Sequence, residues 1–201
     1  LNVSAYRLLK KSRRDINSKW GQAMFLNLYS TPYGGDYSGN QFSFQGQLFF
    51  PGLAKHHSLW GYWAYQKTEI ADVVASTGEG LDSYLFRNQI PLPRGQSTSR
   101  FQNFYSMSAN YTLPVWYPDV ALGPLLNIQR VRLNVFIDYG YGSSVLNQKP
   151  SSKSYLSTGG EVKFDINIFR QLPQLDIGFR YSYGINPATT RFEFLLGTLN
   201  F

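Results

Sequence analysis

The chain has 201 residues, no cysteine, a net charge of +7, 17% aromatic residues and only 15% charged residues. Without cysteine neither a disulfide framework nor a thiolate site can form, and the charged fraction falls short of the roughly 25% of a soluble domain. No run approaches the ~18 apolar residues of a membrane helix, and the mean hydropathy is −0.29, so a surface meeting hydrocarbon would have to be built from strands with one apolar and one polar face.

Strands are expected at about 2–11 and 18–30, joined by a turn near Arg13–Asn17. The basic run Lys10-Lys11-Ser12-Arg13-Arg14 falls there. A solvated turn explains it better than a nucleic-acid surface, because the other cations are scattered through alternating strands. After a loop at Thr31–Asn40, residues 41–50 set Phe42, Phe44, Leu48 and Phe50 against Gln41, Ser43, Gln45 and Gln47. A turn at Pro51–His57 leads to a strand at 58–69. The longest connection follows, Ile70–Ser99, and then a strand at 100–113 and a turn at Pro114–Leu126.

Residues 128–141 place Val131, Leu133, Val135, Ile137, Tyr139 and Tyr141 on one face, with Arg130, Arg132, Asn134, Phe136 and Asp138 on the other. A loop at Gly142–Ser154 precedes residues 155–169, where Leu156, Val162, Phe164, Ile166 and Ile168 oppose Glu161, Lys163, Asp165 and Asn167. Past a turn at Arg170–Gln174, residues 174–184 repeat the pattern, with Ile177, Phe179, Tyr181 and Tyr183 against Asp176, Arg180 and Ser182. The chain closes on Arg191–Phe201. There Phe192, Phe194 and Leu196 share one face but Leu199 and Phe201 the other, so a bulge is expected near Gly197.

About nine strands with alternating short and long connections, a terminal Phe and period-2 alternation predict an all-β fold, an antiparallel transmembrane β-barrel of the bacterial outer membrane. The short turns would lie in the periplasm and the long loops outside. Tyr139, Tyr141 and Tyr183 then fall near the outer interface and Trp116, Tyr117 and Phe169 near the periplasmic one, as in two aromatic girdles. A soluble β-sandwich with one wet face is the alternative; strand length and charge-free apolar faces speak against it. Residues 1–201 read as one barrel domain. Because bacterial single-chain barrels have even strand counts, an odd count implies further strands, with an export signal, before Leu1.

Pro93-Arg94-Gly95-Gln96 in the longest loop and Val135-Phe136-Ile137-Asp138-Tyr139-Gly140 two strands later together resemble the polypeptide-transporting outer-membrane barrels, the bacterial surface antigen superfamily. That superfamily holds the outer-membrane assembly insertase and the two-partner-secretion transporters. The resemblance implies a sixteen-stranded barrel of which these are the last nine strands, with a loop folded into the lumen. It also implies a contact of Arg94 and Gly95 with Phe136, Asp138 and Gly140. Gln96 stands where the family has an aromatic residue. Tyr111-Thr112-Leu113-Pro114 resembles the family's strand end, with Asn110 where an acidic residue is common, and Arg191-Phe192-Glu193-Phe194 its final strand. Pro51-Gly52-Leu53…His56-His57 resembles Bacteroidota barrels appended to periplasmic β-propellers.

From the residues alone, Asp138 lies on the polar phase of its strand, where it would meet either Arg94 or a strand arginine, leaving Arg94 solvated. The adjacent His56 and His57 point to opposite faces of any strand and suit a turn better than a metal site. Gly-x-Ser-x-Gly is absent and no histidine–carboxylate spacing suggests a triad; a pairing of His57 with a strand serine is the one hydrolytic arrangement left. Asp15 and Gly34-Gly35-Asp36 are too sparse in acids for calcium, and the Asn2-Val3-Ser4 and Asn110-Tyr111-Thr112 matches to the glycosylation pattern are chance in a bacterial barrel. The expectation is therefore a non-enzymatic barrel without cofactor or metal. Its partners would be outer-membrane lipid and lipopolysaccharide, the assembly machinery acting on a terminal signal at Phe192, Phe194, Leu196, Leu199 and Phe201, and a periplasmic domain or complex subunit. Nucleic acid is not among them. Its role would be polypeptide transport or assembly; the other reading is an accessory barrel that anchors a periplasmic domain or surface complex.

Overall fold

Sustained alternation of apolar and polar side chains satisfies both faces only in an extended sheet, and a sheet is what forms. The computed structural model describes residues 1–12, 14–31, 39–70, 88–96, 101–118, 120–123, 126–146, 149–168 and 175–198. Among them are ten strands and no helix. They are β1 (Asn2–Leu8), β2 (Gly21–Ser30), β3 (Gly39–Pro51), β4 (Ser58–Ile70), β5 (Asn103–Trp116), β6 (Val120–Leu122), β7 (Leu126–Leu146), β8 (Lys149–Ile168), β9 (Leu175–Asn186) and β10 (Thr189–Thr198). All pair antiparallel in one sheet of order β1-β2-β3-β4-β5-β7-β8-β9-β10, with the short β6 pairing β7. The path ends on β1 and β10, and the sheet is not closed among the described residues.

Register puts like with like. Tyr111 faces Val135, Ala109 faces Ile137 and Met107 faces Tyr139 across β5 and β7, while Val162 faces Phe179 and Phe164 faces Ile177 across β8 and β9. This apolar face is bare: Val135 is 48% and Phe194 60% exposed. Near one end Phe44, Tyr65, Tyr105 and Tyr141 stand opposite one another over four strands, and the Tyr65 and Tyr105 ring centroids are 4.7 Å apart. Cross-strand aromatic pairs of this kind contribute about 0.2–1 kcal/mol each.

The polar face is the buried one. Gln41, Ser43, Gln66, Ser106, Asn110, Asn134, Asp138, Ser157, Glu161, Asp165 and Ser182 are all nearly inaccessible. A single short segment, 88–96, meets this face from β3, where Gln45 Nε2 donates to Gln89 O at 2.9 Å, to β10, where Arg191 Nη1 donates to Gln96 O at 3.4 Å. A face that touches one segment from strands so far apart is concave, and it is called the inner face below.

Several sequence expectations are corrected. The turn expected at Pro114–Leu126 contains a tenth strand, β6, because β5 runs on to Trp116 and Val120–Leu122 pairs back onto Leu126–Ile128. The loop expected at Gly142–Ser154 is mostly hairpin: Gly142 pairs Lys153 and Leu146 pairs Lys149. Its serines and glycines carry no apolar alternation, but a hydrogen-bonded ladder does not need one. The bulge expected near Gly197 is not there, since β10 and β9 pair without a shift from Thr189 to Thr198. Register shifts occur instead at Pro114/Trp116, Ile128/Arg130 and Leu156/Ser157. Leu199 and Phe201, the turn at Arg170–Gln174 and most of Ile70–Ser99 lie outside the described residues.

Candidate functional site

Segment 88–96 enters the concave face with an apolar foot and a polar tip. Ile90 is buried with Tyr62, Ala64, Phe101, Phe104 and Tyr155, and Leu92 and Trp60 pack beside that cluster. Gln66 of β4 accepts from the Gln89 backbone N at 2.7 Å. A β-turn then reverses the tip, with Gln96 N donating to Pro93 O at 3.3 Å. Gly95 is the third residue of this turn at φ +81°, the left-handed region that a type II turn requires there. A Cβ on Gly95 would also lie 2.7 Å from Ser182 Cβ. Gly140 makes room from the other side: a Cβ there would come within 2.8 Å of Pro93 Cγ.

The tip carries Arg94 into the sheet. Its Nε donates to Asp138 Oδ2 at 2.8 Å and its Nη2 to Asp138 Oδ1 at 2.7 Å, a bidentate fork. The Arg94 backbone N adds a third bond to Oδ2 at 3.0 Å. Nη1 reaches Glu161 Oε1 at 3.2 Å, and Nη2 also reaches Ser108 Oγ at 2.9 Å and Asn110 Oδ1 at 2.8 Å. The guanidinium carbon sits 3.5 Å from the Phe136 ring centroid, and Phe136 is buried. Stacking on an aromatic face while forking a carboxylate is what a guanidinium does and an ammonium cannot.

Charge continues along the inner face. Glu161 also pairs with Arg180 Nε at 2.7 Å and with Lys163 at 3.6 Å. Arg180 holds Glu193 at 3.2 Å, and Arg132 bridges Asp165 and Asp176, each at 2.9 Å. Arg130 Nε donates to Asp165 at 2.7 Å. Cations and anions interleave over β7, β8, β9 and β10, so each buried charge has an opposite neighbour, as burial demands.

The structure thus brings Arg94, Gly95, Phe136, Asp138 and Gly140 together. The strand arginines that might have taken Asp138 pair with Asp165 and Asp176 instead. Phe192, Phe194 and Leu196 stand exposed on edge strand β10; Leu199 and Phe201 are outside the described residues. Sequence reasoning missed Ser108, Asn110 and Glu161 as Arg94 partners. Their polar phase was readable, but which inner-face residues surround Asp138 follows from inter-strand register.

The two histidines do not converge. His56 Nδ1 is 2.7 Å from Asp15 Oδ1, and His57 Nδ1 is 2.7 Å from Tyr111 OH. Among the described residues no group of three metal-ligating side chains assembles. Burial of Asp15 pushes its carboxyl pKa up, but hydrogen bonds from His56 and Ser12 outweigh this and hold it below the ordinary value.

No known protein family, curated protein or solved structure matches the chain.

Proposed function

We propose that this chain is part of an outer-membrane β-barrel of the polypeptide-transport and assembly kind, with segment 88–96 held in its lumen as a plug. The observation that carries the reading is the Arg94 anchor. A loop turned inward, forked onto a strand aspartate and stacked on a strand phenylalanine, serves a lumen that must be occupied and reopened. The bare aromatic face supports the membrane half of the proposal, because an apolar face of this extent marks a membrane or partner surface, and apolar-out, polar-in alternation along every long strand suits lipid. In this reading the apolar face meets lipid and lipopolysaccharide, and the β1–β2, β3–β4 and β5–β7 connections face the periplasm. The exposed β10 edge meets the assembly machinery. The protein is not an enzyme and needs no cofactor.

A second reading, an accessory barrel that anchors a periplasmic domain or surface complex, is favoured by one observation. Gln96 occupies the place of an aromatic residue in the resembling loop, and its Nε2 has no hydrogen-bond partner. Depleting the protein in its host and measuring the outer-membrane and secreted polypeptides separates the two. Transport predicts that a defined set of exported polypeptides falls while the rest persist. Unchanged export, with loss of a surface complex, would replace it with the anchoring role.

A further inference from the structure

The connection between β1 and β2 lies at the end of the sheet opposite segment 88–96, and it does not hang free. Residues 14–17 fold under the inner face. Tyr117 OH donates to Arg14 O at 3.1 Å, and Arg130 Nη1 donates to Arg14 O at 3.2 Å and to Asp15 O at 3.3 Å. Asp15 meets His56 of the β3–β4 turn, and Asn17 Nδ2 donates to Ser58 Oγ at 3.2 Å. The contacts run from the β3–β4 turn to β7, across the concavity. Asp15 and Ile16 are 7% and 4% exposed although they belong to a connection and not to a strand. Above them a cavity of about 260 Å³ is lined by Asn17, Gln47, Thr112, Arg132, Glu161 and Lys163, among others.

We propose that segment 14–17 is a strap that closes the lower mouth of the lumen and swings out to open it, with Arg130 and Tyr117 as its latches. This rests on the barrel reading given above. A turn that merely packed well would be held by its own backbone and an apolar cluster. This one has local bonds, Asp15 N to Ser12 O at 3.0 Å, Ser12 N to Asp15 Oδ2 at 3.0 Å and Lys11 Nζ to Ile16 O at 3.3 Å, but what ties it to the inner face is side chains of distant elements gripping its backbone carbonyls. Its buried apolar content is Ile16 alone, so release exposes little hydrocarbon, and a segment with few buried apolar contacts opens at low cost. Arg130 is suited to a latch because its Nε keeps Asp165 while its Nη1 holds the strap; losing the strap does not strand the charge. The lumen is then closed twice, by the Arg94 tip above and the strap below, with the cavity between them.

These 201 residues hold no cysteine, and the parent protein without an added cysteine supplies the labelling background. In the full protein in its own membrane, Gln47→Cys places one thiol in the cavity, Leu53→Cys one on the fully exposed lower turn, and Val135→Cys one on the apolar face. A small charged thiosulfonate is added from the periplasmic side. The strap predicts that Gln47→Cys reacts at least tenfold more slowly than Leu53→Cys, and that Arg130→Gln with Tyr117→Phe raises its rate towards that of Leu53→Cys. Tyr117→Phe alone, which removes one hydroxyl, should give a smaller rise and serves if the double variant fails to fold. Fast labelling of Gln47→Cys in the parent, or a rate indifferent to both latch changes, overturns the strap. Fast labelling of Val135→Cys would instead overturn the barrel reading beneath it.

Discussion

Removing Arg94 should be among the costliest single changes at the inner face. In Arg94→Ala the Asp138 carboxylate, 3% exposed, loses its two guanidinium bonds and keeps only the backbone N of residue 94 and the Ser108 hydroxyl, at 3.0 and 2.6 Å. Phe136 loses the cation on its ring, while Glu161 keeps Arg180 and Lys163. Breaking one side of a buried pair costs about 3–5 kcal/mol, and the two surviving neutral donors place this case near the lower figure. Asp138→Ala leaves Arg94 with Glu161, Ser108 and Asn110 and should cost a similar amount. Because both changes remove the same interaction, the double variant should lie about 2 kcal/mol short of the sum, within the range for directly contacting pairs. The assay is equilibrium urea unfolding of the protein in lipid vesicles, followed by tryptophan fluorescence. Additivity within about 0.5 kcal/mol would show that the pair contributes nothing as a pair.

Three other outcomes follow from the same geometry. Gly95→Ala puts a side chain at φ +81° against Ser182; it should cost about 1–2 kcal/mol of backbone strain plus the clash, and speed protease cutting of segment 88–96, whereas Gly123→Ala, at φ +59° with open space around it, should carry the backbone strain alone and leave the cutting of segment 88–96 unchanged. Val135→Lys should destabilise the membrane-folded protein by about 2–4 kcal/mol and Gln47→Lys by far less, as read by heat-modifiable migration; equal effects would reverse the assignment of faces. Asp15 faces His56, Lys11, Lys19 and Arg130, and its folded pKa is depressed, so the stability it lends the strap is present above the ordinary carboxylate value of 3.8 and lost as pH falls through the depressed one. The labelling rate of Gln47→Cys relative to that of Leu53→Cys at the same pH, which cancels the shared loss of thiolate in acid, should therefore rise only in that acid range, and Asp15→Asn should abolish the step.

Much of the fold was readable because alternation is a local signal. The faces of 41–50, 128–141, 155–169 and 174–184 follow from period 2 alone, and among the described residues, to Ile168 and from Leu175, exposure and register agree with each phase. What alternation does not carry is pairing without apolar content. The Ser143–Ser152 and Ser144–Ser151 pairs extend β7 and β8 through a stretch that reads as loop. Nor does it carry the inward fold of 14–17, where a basic turn gave no sign that Asp15 and Ile16 would be buried. Their partners, Arg130 and His56, lie far along the chain and become neighbours only once the sheet has curved.

The reach of these two inward segments constrains when they can form. Gln96 is held by Arg191, 95 residues further on, and Arg14 by Arg130, 116 residues further on. Contacts of such separation carry the largest loop-closure cost and form last. Until β7 is in place, the strap lacks its Arg130 latch. Until β9 and β10 arrive, the tip at 93–96 has Asp138 on one side and nothing on the other. Strand addition along the chain therefore leaves the trough open at its lower end until β7 brings Arg130 and Asp138, and the final hairpin is what encloses the tip. A mutation that slows that hairpin would lengthen the life of an open, charge-lined intermediate without altering the finished protein.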